Sequence, residues 1–397
     1  MLSRRTLLKY LTAGSTVAVA PGLAFAKANG DARFVLTILR GAADGLAIAA
    51  PYADPDYRKL RGELALDKPN SAGGVLDLDG FFGLHPRLVS THQRFLEREA
   101  LLVHAVASPY RRRSHFDGQD VLESGGGRVG AMRDGWLNRA LEPLGGERGR
   151  ETAIALAQNP PLVLRGPESV GSWAPSRLAD ADAGTIDRLR QLYRDDTFFA
   201  DRLEQALKSQ SIATDMNDVD GRARRAEQLK ANMTAAGRFL ETEGGPRIAV
   251  VETGGWDTHA NQGAANGALA NQLEALDSGL AALHAALGEQ WRNTVVVVVT
   301  EFGRTARVNG TRGTDHGTAS AALVLGGAVN GGRVLGDWPG LGARDLLEAR
   351  DLAPTADLRS VFKGVLTEHL GLASGYVDAR VFPGSDSVQA LQGIVRA

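Results

Sequence analysis

Asp257 and His259 are separated by one residue and follow a short apolar run; Asp315-His316 precede another. Carboxylates and imidazoles are the common oxygen and nitrogen ligands of zinc and similar divalent ions. Glu301 ends the buried-looking run Val295 to Val299 and adds a further acid to the same supply. A lone Asp-x-His triplet is also what a turn cap beside an exposed histidine looks like. The second Asp-His pair at another strand end is what raises the metal reading to equal footing.

A second group centres on Ser114. It follows Arg111, Arg112 and Arg113 and opens a helical stretch with His115, Phe116 and Asp117. A helix amino terminus offers free backbone N–H groups and a positive dipole end. With guanidinium groups beside it, that is a place for phosphate, sulfate or carboxylate. The Ser114 hydroxyl is a nucleophile candidate where a metal or base activates it. Ser114-x-x-Asp117 is equally a capping pattern. His115 is a candidate ligand or general acid/base. Arg304 is a further anion-binding candidate; alternatively, Glu301 and Arg304 form an ion pair at the base of their loop. Asp44 follows the first strand of the mature chain and completes the acids.

These residues need elements to position them. Phe34–Leu39, Ala100–Val106, Arg247–Glu252 and Val295–Val299 are short apolar runs rich in β-branched residues, the pattern of strands covered on both faces. Ala319–Leu325 is another such run, and Thr152–Leu156 and Leu162–Leu164 are shorter strand candidates. Helical spacing is expected over 87–98, from Asp117 to about Glu123, and over 134–144, 263–288 and 357–369. Residues 51–80 read as a surface excursion and 183–243 as a polar helical insertion, with Arg222, Arg224 and Arg225 on a solvated face. Alternating strands and helices predict an α/β three-layer sandwich with a mostly parallel central sheet. Each polar group lies at a strand exit, where open α/β sheets bind ligands. The Asn309-Gly310 turn would return Asp315-His316 to the same rim. His92, His104, His284 and His369 sit in regular patterns and read as structural.

At 397 residues the chain is long enough for one large domain. A formal net charge of -1 gives no sign of a nucleic-acid partner. The absence of cysteine excludes disulfides and thiolate chemistry. Residues 1–26 carry Arg4-Arg5, a mildly apolar stretch and a small-x-small site at Ala24-Phe25-Ala26. That is the form of a twin-arginine export signal, handled by the twin-arginine machinery and cleaved to leave residues 27–397 in the periplasm or outside the cell. An uncleaved anchor is the alternative.

The leader, the R-G-A-A-D-G exit around Asp44, S-P-Y-x-x-R-S-H-F-D-x-Q-D, G-G-W-D-T-H, T-E-F-G-R-T and the later D-H-G together resemble the bacterial family known as domain of unknown function 1501. That family is grouped with the alkaline phosphatase and sulfatase superfamily. The resemblance implies an alkaline phosphatase-like fold with its site at the strand carboxyl ends. It implies Asp44 as the first acid, Ser114 as the nucleophile position, Asp257 and His259 as a ligand pair and His316 as the late histidine, around divalent metal. The chain departs from the superfamily at Glu301-Phe302, where Asp-His is usual. Two functions follow. One is an exported metal-dependent hydrolase of phosphate or sulfate esters using zinc, manganese or calcium, with a small anionic ester or glycan as substrate. The other is a non-catalytic envelope protein that binds an anionic glycan or a partner protein on the same scaffold.

Overall fold

The computed structural model describes residues 31–145, 151–175, 183–194, 196, 199–200, 203–204, 207 and 225–396. The leader and most of the stretch 195–224, with Arg222 and Arg224, lie outside the described residues.

Nine strands form the main sheet among the described residues: β1 (Arg33–Arg40), β2 (Ala100–Ala107), β3 (Ala153–Ala155), β4 (Gly171–Ser172), β5 (Ile248–Gly254), β6 (Thr294–Thr300), β7 (Ser320–Leu325), β8 (Arg333–Leu335) and β9 (Ala356–Asp357). Their order is β8-β2-β7-β6-β1-β5-β3-β4, with β9 also paired to β2. β1 lies between β5 and β6 in parallel register, Leu36 opposite both Val250 and Val297. β7 alone runs against its neighbours β2 and β6. That reversal matters for the site. The parallel strands end at one rim, and β7 begins there, so residues leaving β6 and residues entering β7 meet.

The longer helices are α1 (Val89–Leu96), α2 (His115–Ser124), α3 (Trp136–Leu144), α4 (Ala183–Tyr193), α5 (Arg225–Glu241), α6 (Ala268–Leu287) and α7 (Leu358–Gly364). Alternate residues of the central strands feed two apolar layers, as the two-residue period of a strand requires. Val35, Leu39, Val251, Val296 and Val298 pack with Leu229, Met233, Leu273 and Leu280 of α5 and α6. Phe34, Leu36, Ile38, Val295 and Val297 pack with Trp136, Leu137 and Phe362 of α3 and α7. A sheet with helices on both faces is the three-layer sandwich the sequence predicts. No helix of the described residues is long and apolar enough to cross a membrane.

Two expectations change, and one strand is added. Leu162–Leu164 forms a 3-10 turn, not a strand; three residues are too few for period alone to tell the two apart. Gly171–Ser172, unread in the sequence, supplies the edge strand instead. Residues 51–80 are not a plain surface excursion: Tyr57, Leu60, Leu66 and Val75 join a third apolar cluster with Leu46 and Ala107. Arg61, from the same segment, has no exposed surface.

His104 and His369 are structural, as read. His104 Nε2 donates to the Ala49 carbonyl at 2.8 Å, and its Nδ1 accepts from the Ala105 N–H at 2.8 Å. A proton on Nδ1 would oppose that second bond. Burial, partly offset by the bond to Ala49, pushes the His104 pKa down to about 4. Burial does the same to His369, also to about 4, against its bond to the Arg33 carbonyl. In the unfolded chain both take up protons near 6.5, while in the folded chain they do not until about 4. The unfolded state therefore binds more protons across that window, and stability falls as pH drops through it. Each histidine contributes about 3 kcal/mol to the loss between neutrality and pH 4. Urea melts between pH 7 and 4 check this: His369→Gln should flatten the slope, and an unchanged slope would contradict the assignment.

Candidate functional site

The rim is assembled by close backbone contact. After β6 the chain runs Glu301-Phe302-Gly303-Arg304. Gly303 N–H donates to the Thr318 carbonyl at 2.9 Å, and Gly317 N–H to the Gly303 carbonyl at 2.8 Å. Arg304 and His316 form an antiparallel bridge. A Cβ on Gly303 would lie 1.8 Å from the Ala319 carbonyl oxygen, so only glycine permits this approach. At the exit of β1, Gly41 has φ 123° and lies against the Trp256–Asp257 backbone, where a Cβ would meet Asp257 N at 2.8 Å. Three segments distant in sequence are thus pressed together. The loop from 305 to 314 folds on the Asn309 side chain, whose Oδ1 accepts from the Thr311 and Gly313 N–H groups at 3.0 and 2.9 Å.

Asp257 stands at the centre. Its Oδ1 accepts from Arg304 Nη1 at 2.6 Å and lies 3.0 Å from His259 Nε2 and 3.2 Å from His316 Nε2. Its Oδ2 lies 3.4 Å from His115 Nε2. The two imidazole nitrogens of His259 and His316 are 3.0 Å apart. Ligand atoms of His115, Asp257 and His316 all lie within 4.8 Å of one another.

The far nitrogens settle which tautomers these rings hold. His115 Nδ1 faces Glu301 Oε1 at 2.8 Å, His316 Nδ1 faces the Arg113 carbonyl at 2.9 Å and His259 Nδ1 faces Asp315 Oδ1 at 3.2 Å. Oxygens of a carbonyl or an ionised carboxylate only accept, so each Nδ1 donates. In the neutral rings every Nε2 then carries a lone pair aimed at the Asp257 carboxylate or at another Nε2. Buried His115 Nε2 has no hydrogen-bond partner. Such a cluster of lone pairs repels itself unless a proton or cation enters. A metal-binding histidine with its second nitrogen on a carboxylate or carbonyl is the usual form of such ligands. Four donors around an ion at zinc distances stand roughly 3.3 Å apart. His316 Nε2 at 3.2 Å from Asp257 Oδ1 and His115 Nε2 at 3.4 Å from Oδ2 are close to that edge.

The charges agree with this picture. The Glu301 hydrogen bond, working against burial, raises the His115 pKa. Burial pushes the Asp257 and Glu301 carboxyls up, but each is held below its ordinary value: Asp257 by Arg304, His259 and His316, Glu301 by His115, Gly41 N–H and Thr300. Asp315 is lowered by Asn309 and His259. Burial lowers the His316 pKa, which favours the neutral ring. Asp257 keeps 42% of its side chain exposed and His259 44%, so solutes reach the cluster.

Several expected site residues occupy other places. Glu301 is fully buried behind His115 and holds it, with Gly41 N–H and Thr300 Oγ1 also on its oxygens. Asp44 is outside the ligand group; its Oδ2 accepts from Arg61 Nη2 and from Gln262 Nε2. Arg304 is buried and its ion pair is to Asp257 across the rim, not to Glu301. Arg111 turns back to the Ser108 and Tyr110 carbonyls. Arg113 is taken by Glu348 and Asp351. Arg112 is exposed and has no carboxylate partner among the described residues. Ser114 is the N-cap residue of α2, yet its side chain makes no cap hydrogen bond. Asp117 accepts instead from Tyr110 Oη at 3.1 Å.

A family model matches residues 96–382. The chain belongs to that family, described as Protein of unknown function (DUF1501). No curated protein matches the chain. Three solved structures are similar to this DUF1501 protein in part. The phosphonate monoester hydrolase of Agrobacterium radiobacter has a TM-score of 0.36 at 13% identity, over 86% of this chain and 74% of that one. The Ps i-CgsB complex with k-i-k-neocarrahexaose has a TM-score of 0.41 at 12% identity, over 90% and 77%. The C-terminal periplasmic domain of EcEptC from Escherichia coli, in complex with Zn, has a TM-score of 0.30 at 12% identity, over 75% and 76%.

The DUF1501 chain also carries site residues that sequence reasoning passed over. Gln262, Thr258, Thr314 and Arg61 are all buried beneath the rim. Thr258 and Thr314 adjoin Asp257 and Asp315, which was the available signal. Arg61 had none, since nothing local marks an arginine in a Pro- and Gly-rich stretch as buried.

Proposed function

We propose that this protein is an exported, metal-dependent hydrolase of phosphate or sulfate esters. The observation that carries the reading is the convergence of three imidazole Nε2 atoms on the Asp257 carboxylate. His115, Asp257 and His316 would hold a divalent ion, with His259 at its open side. Nitrogen-rich donors suit zinc better than manganese or calcium, which favour oxygen ligands. When bound, such an ion supplies positive charge to an anionic ester and lowers the pKa of water.

The chain's own groups divide the remaining work. Arg304 holds Asp257 in place, and Glu301 and the Arg113 carbonyl aim His115 and His316. Exposed Arg112 is free to meet a phosphate or sulfate oxygen. The Ser114 hydroxyl, unused as a cap, is the nucleophile candidate at the start of α2. His259, backed by Asp315, is placed to take and return a proton at Nε2. Export rests on the leader residues 1–26, and residues 27–397 form one domain with a helical insertion near 183–243 in this reading.

Metal analysis of the purified mature protein tests it. About one divalent ion per chain is expected, removed by chelator and restored by zinc with a rise in melting temperature. Turnover of aryl phosphates or sulfates should follow the metal. Absence of any bound ion, with no response to added zinc, manganese or calcium, sinks the proposal. The non-catalytic alternative draws on Phe302, which stacks on His115 at 5.1 Å where the resemblance would place a histidine. It is favoured if a sulfated glycan binds while no ester is turned over.

A further inference from the structure

Gln262 is fully buried, and both ends of its carboxamide are used. Oε1 accepts from Thr258 Oγ1 at 2.8 Å and from Thr314 Oγ1 at 2.7 Å. Nε2 donates to Asp44 Oδ2 at 2.7 Å. These three partners lie on three separate rim segments. Thr258 sits between Asp257 and His259, Thr314 directly precedes Asp315-His316, and Asp44 follows β1. Arg304, which binds Asp257, also donates to Thr314 Oγ1 at 3.1 Å and to the Thr314 carbonyl. Below them, the buried Arg61 guanidinium donates to Asp44 and reaches the Thr305 carbonyl at 3.4 Å. One side chain therefore ties the segment bearing Asp257 and His259 to the segment bearing Asp315 and His316, and anchors both to the sheet.

We propose that Gln262 is a positioning residue that sets the spacing of the two ligand-bearing segments, and so the affinity of the cluster for a divalent ion. The proposal rests on the metal reading above. The chemistry is specific to an uncharged amide. Two hydroxyl donors require an acceptor, and Asp44 requires a donor, at opposite ends of one planar group. A carboxylate at 262 would face Asp44 with like charge, and an apolar side chain would leave Thr258, Thr314 and Asp44 short of partners. Neither threonine belongs to the ligand group, so their removal acts through the residues beside them. Buried partners of this kind typically change metal affinity by about 10- to 100-fold when removed.

The test uses the full-length mature protein, metal-free, with zinc ion alone as probe. Gln262→Met, Thr258→Val and Thr314→Val are titrated against a competing chelator, and circular dichroism and melting are recorded without metal. Zinc affinity is expected to fall about 10- to 100-fold in Gln262→Met and by smaller factors in the valine variants, which keep side-chain shape and guard against a misfolded glutamine variant. The ring-nitrogen NMR signals of His259 and His316 in metal-free protein are read in parallel. They should move in all three variants, while those of His104 and His369 stay. Native affinity in every variant overturns the proposal. If the native protein takes no zinc, the metal reading has failed and the imidazole signals decide alone: shifted signals support positioning by Gln262, and unmoved signals overturn it.

Discussion

Asp257→Ala is expected to abolish tight divalent-metal binding, with zinc affinity falling by at least about 100-fold, since it removes a ligand rather than a support. Asp257 is in direct contact with Arg304, His115, His259 and His316 together. Its loss also strands the guanidinium of Arg304, whose side chain is fully buried. Leaving a buried charge without its partner costs several kcal/mol when no water reaches it. Arg304 keeps its bonds to Thr314 and Asp257 is partly exposed, so about 2–4 kcal/mol of stability should be lost in the metal-free protein. Asp257→Asn separates the two effects. It preserves an oxygen for Arg304 and should melt close to the native protein, yet it removes the negative charge the ion needs. Chelator competition and metal-free melting curves on both variants give the comparison. An Asn variant that binds zinc as the native protein does would show that the ion, if any, sits elsewhere.

Glu301→Gln should have the next largest effect, although Glu301 faces no solvent. Its carboxylate receives His115 Nδ1, Gly41 N–H and Thr300 Oγ1. An amide matches the shape but not the charge. The His115 pKa, raised chiefly by the Glu301 hydrogen bond, should return toward its ordinary 6.5, and zinc affinity should drop about 10- to 100-fold. The signs for the metal-free native protein are definite. Protonated His115 is favoured by folding, so its stabilising contribution is complete below 6.5 and disappears as pH rises through the raised folded pKa. Glu301 is depressed, so its contribution is present above 4.5 and is lost as pH falls through the lowered folded value. The pair thus supports the fold most in mildly acidic solution. An NMR titration of His115 in native and Glu301→Gln protein measures the shift directly; identical midpoints would remove Glu301 from its role.

Much of this architecture was legible in the residues. Val295–Val299, Phe34–Leu39 and Ala100–Val106 are apolar apart from Thr37 and His104 and buried throughout, which is what a strand between two helical layers requires. That is why the sandwich and the rim could be read. The antiparallel sense of β7 could not, because Ala319–Leu325 is equally apolar in either direction. Only the pairing of Leu323 with Val298 and Leu102 decides it. The longer helices lie within about five residues of their expected ends, as for 263–288 against Ala268–Leu287, whereas the short helices Gly45–Ile48 and Tyr57–Arg61 had no such pattern. Leu162–Leu164 went wrong because its neighbours, not its own side chains, determine its form.

The candidate site divides the same way. Residue type alone marked Asp257, His259, Asp315 and His316, since acids and imidazoles clustered at strand ends have few structural uses. Residue type could not say which acid meets which ring. Glu301, Asp44 and Arg113 carry charges as suitable as any, and they were assigned roles on that basis. In the folded chain their charges are already answered by His115, Arg61, Glu348 and Asp351. Sequence therefore determined the supply of ligating and anion-binding groups and the buried strands that carry them to one edge. Tertiary structure decided which groups remain free, because a charge buried beside a counter-charge is spent on holding the rim, while one left facing lone pairs and solvent is open to an ion.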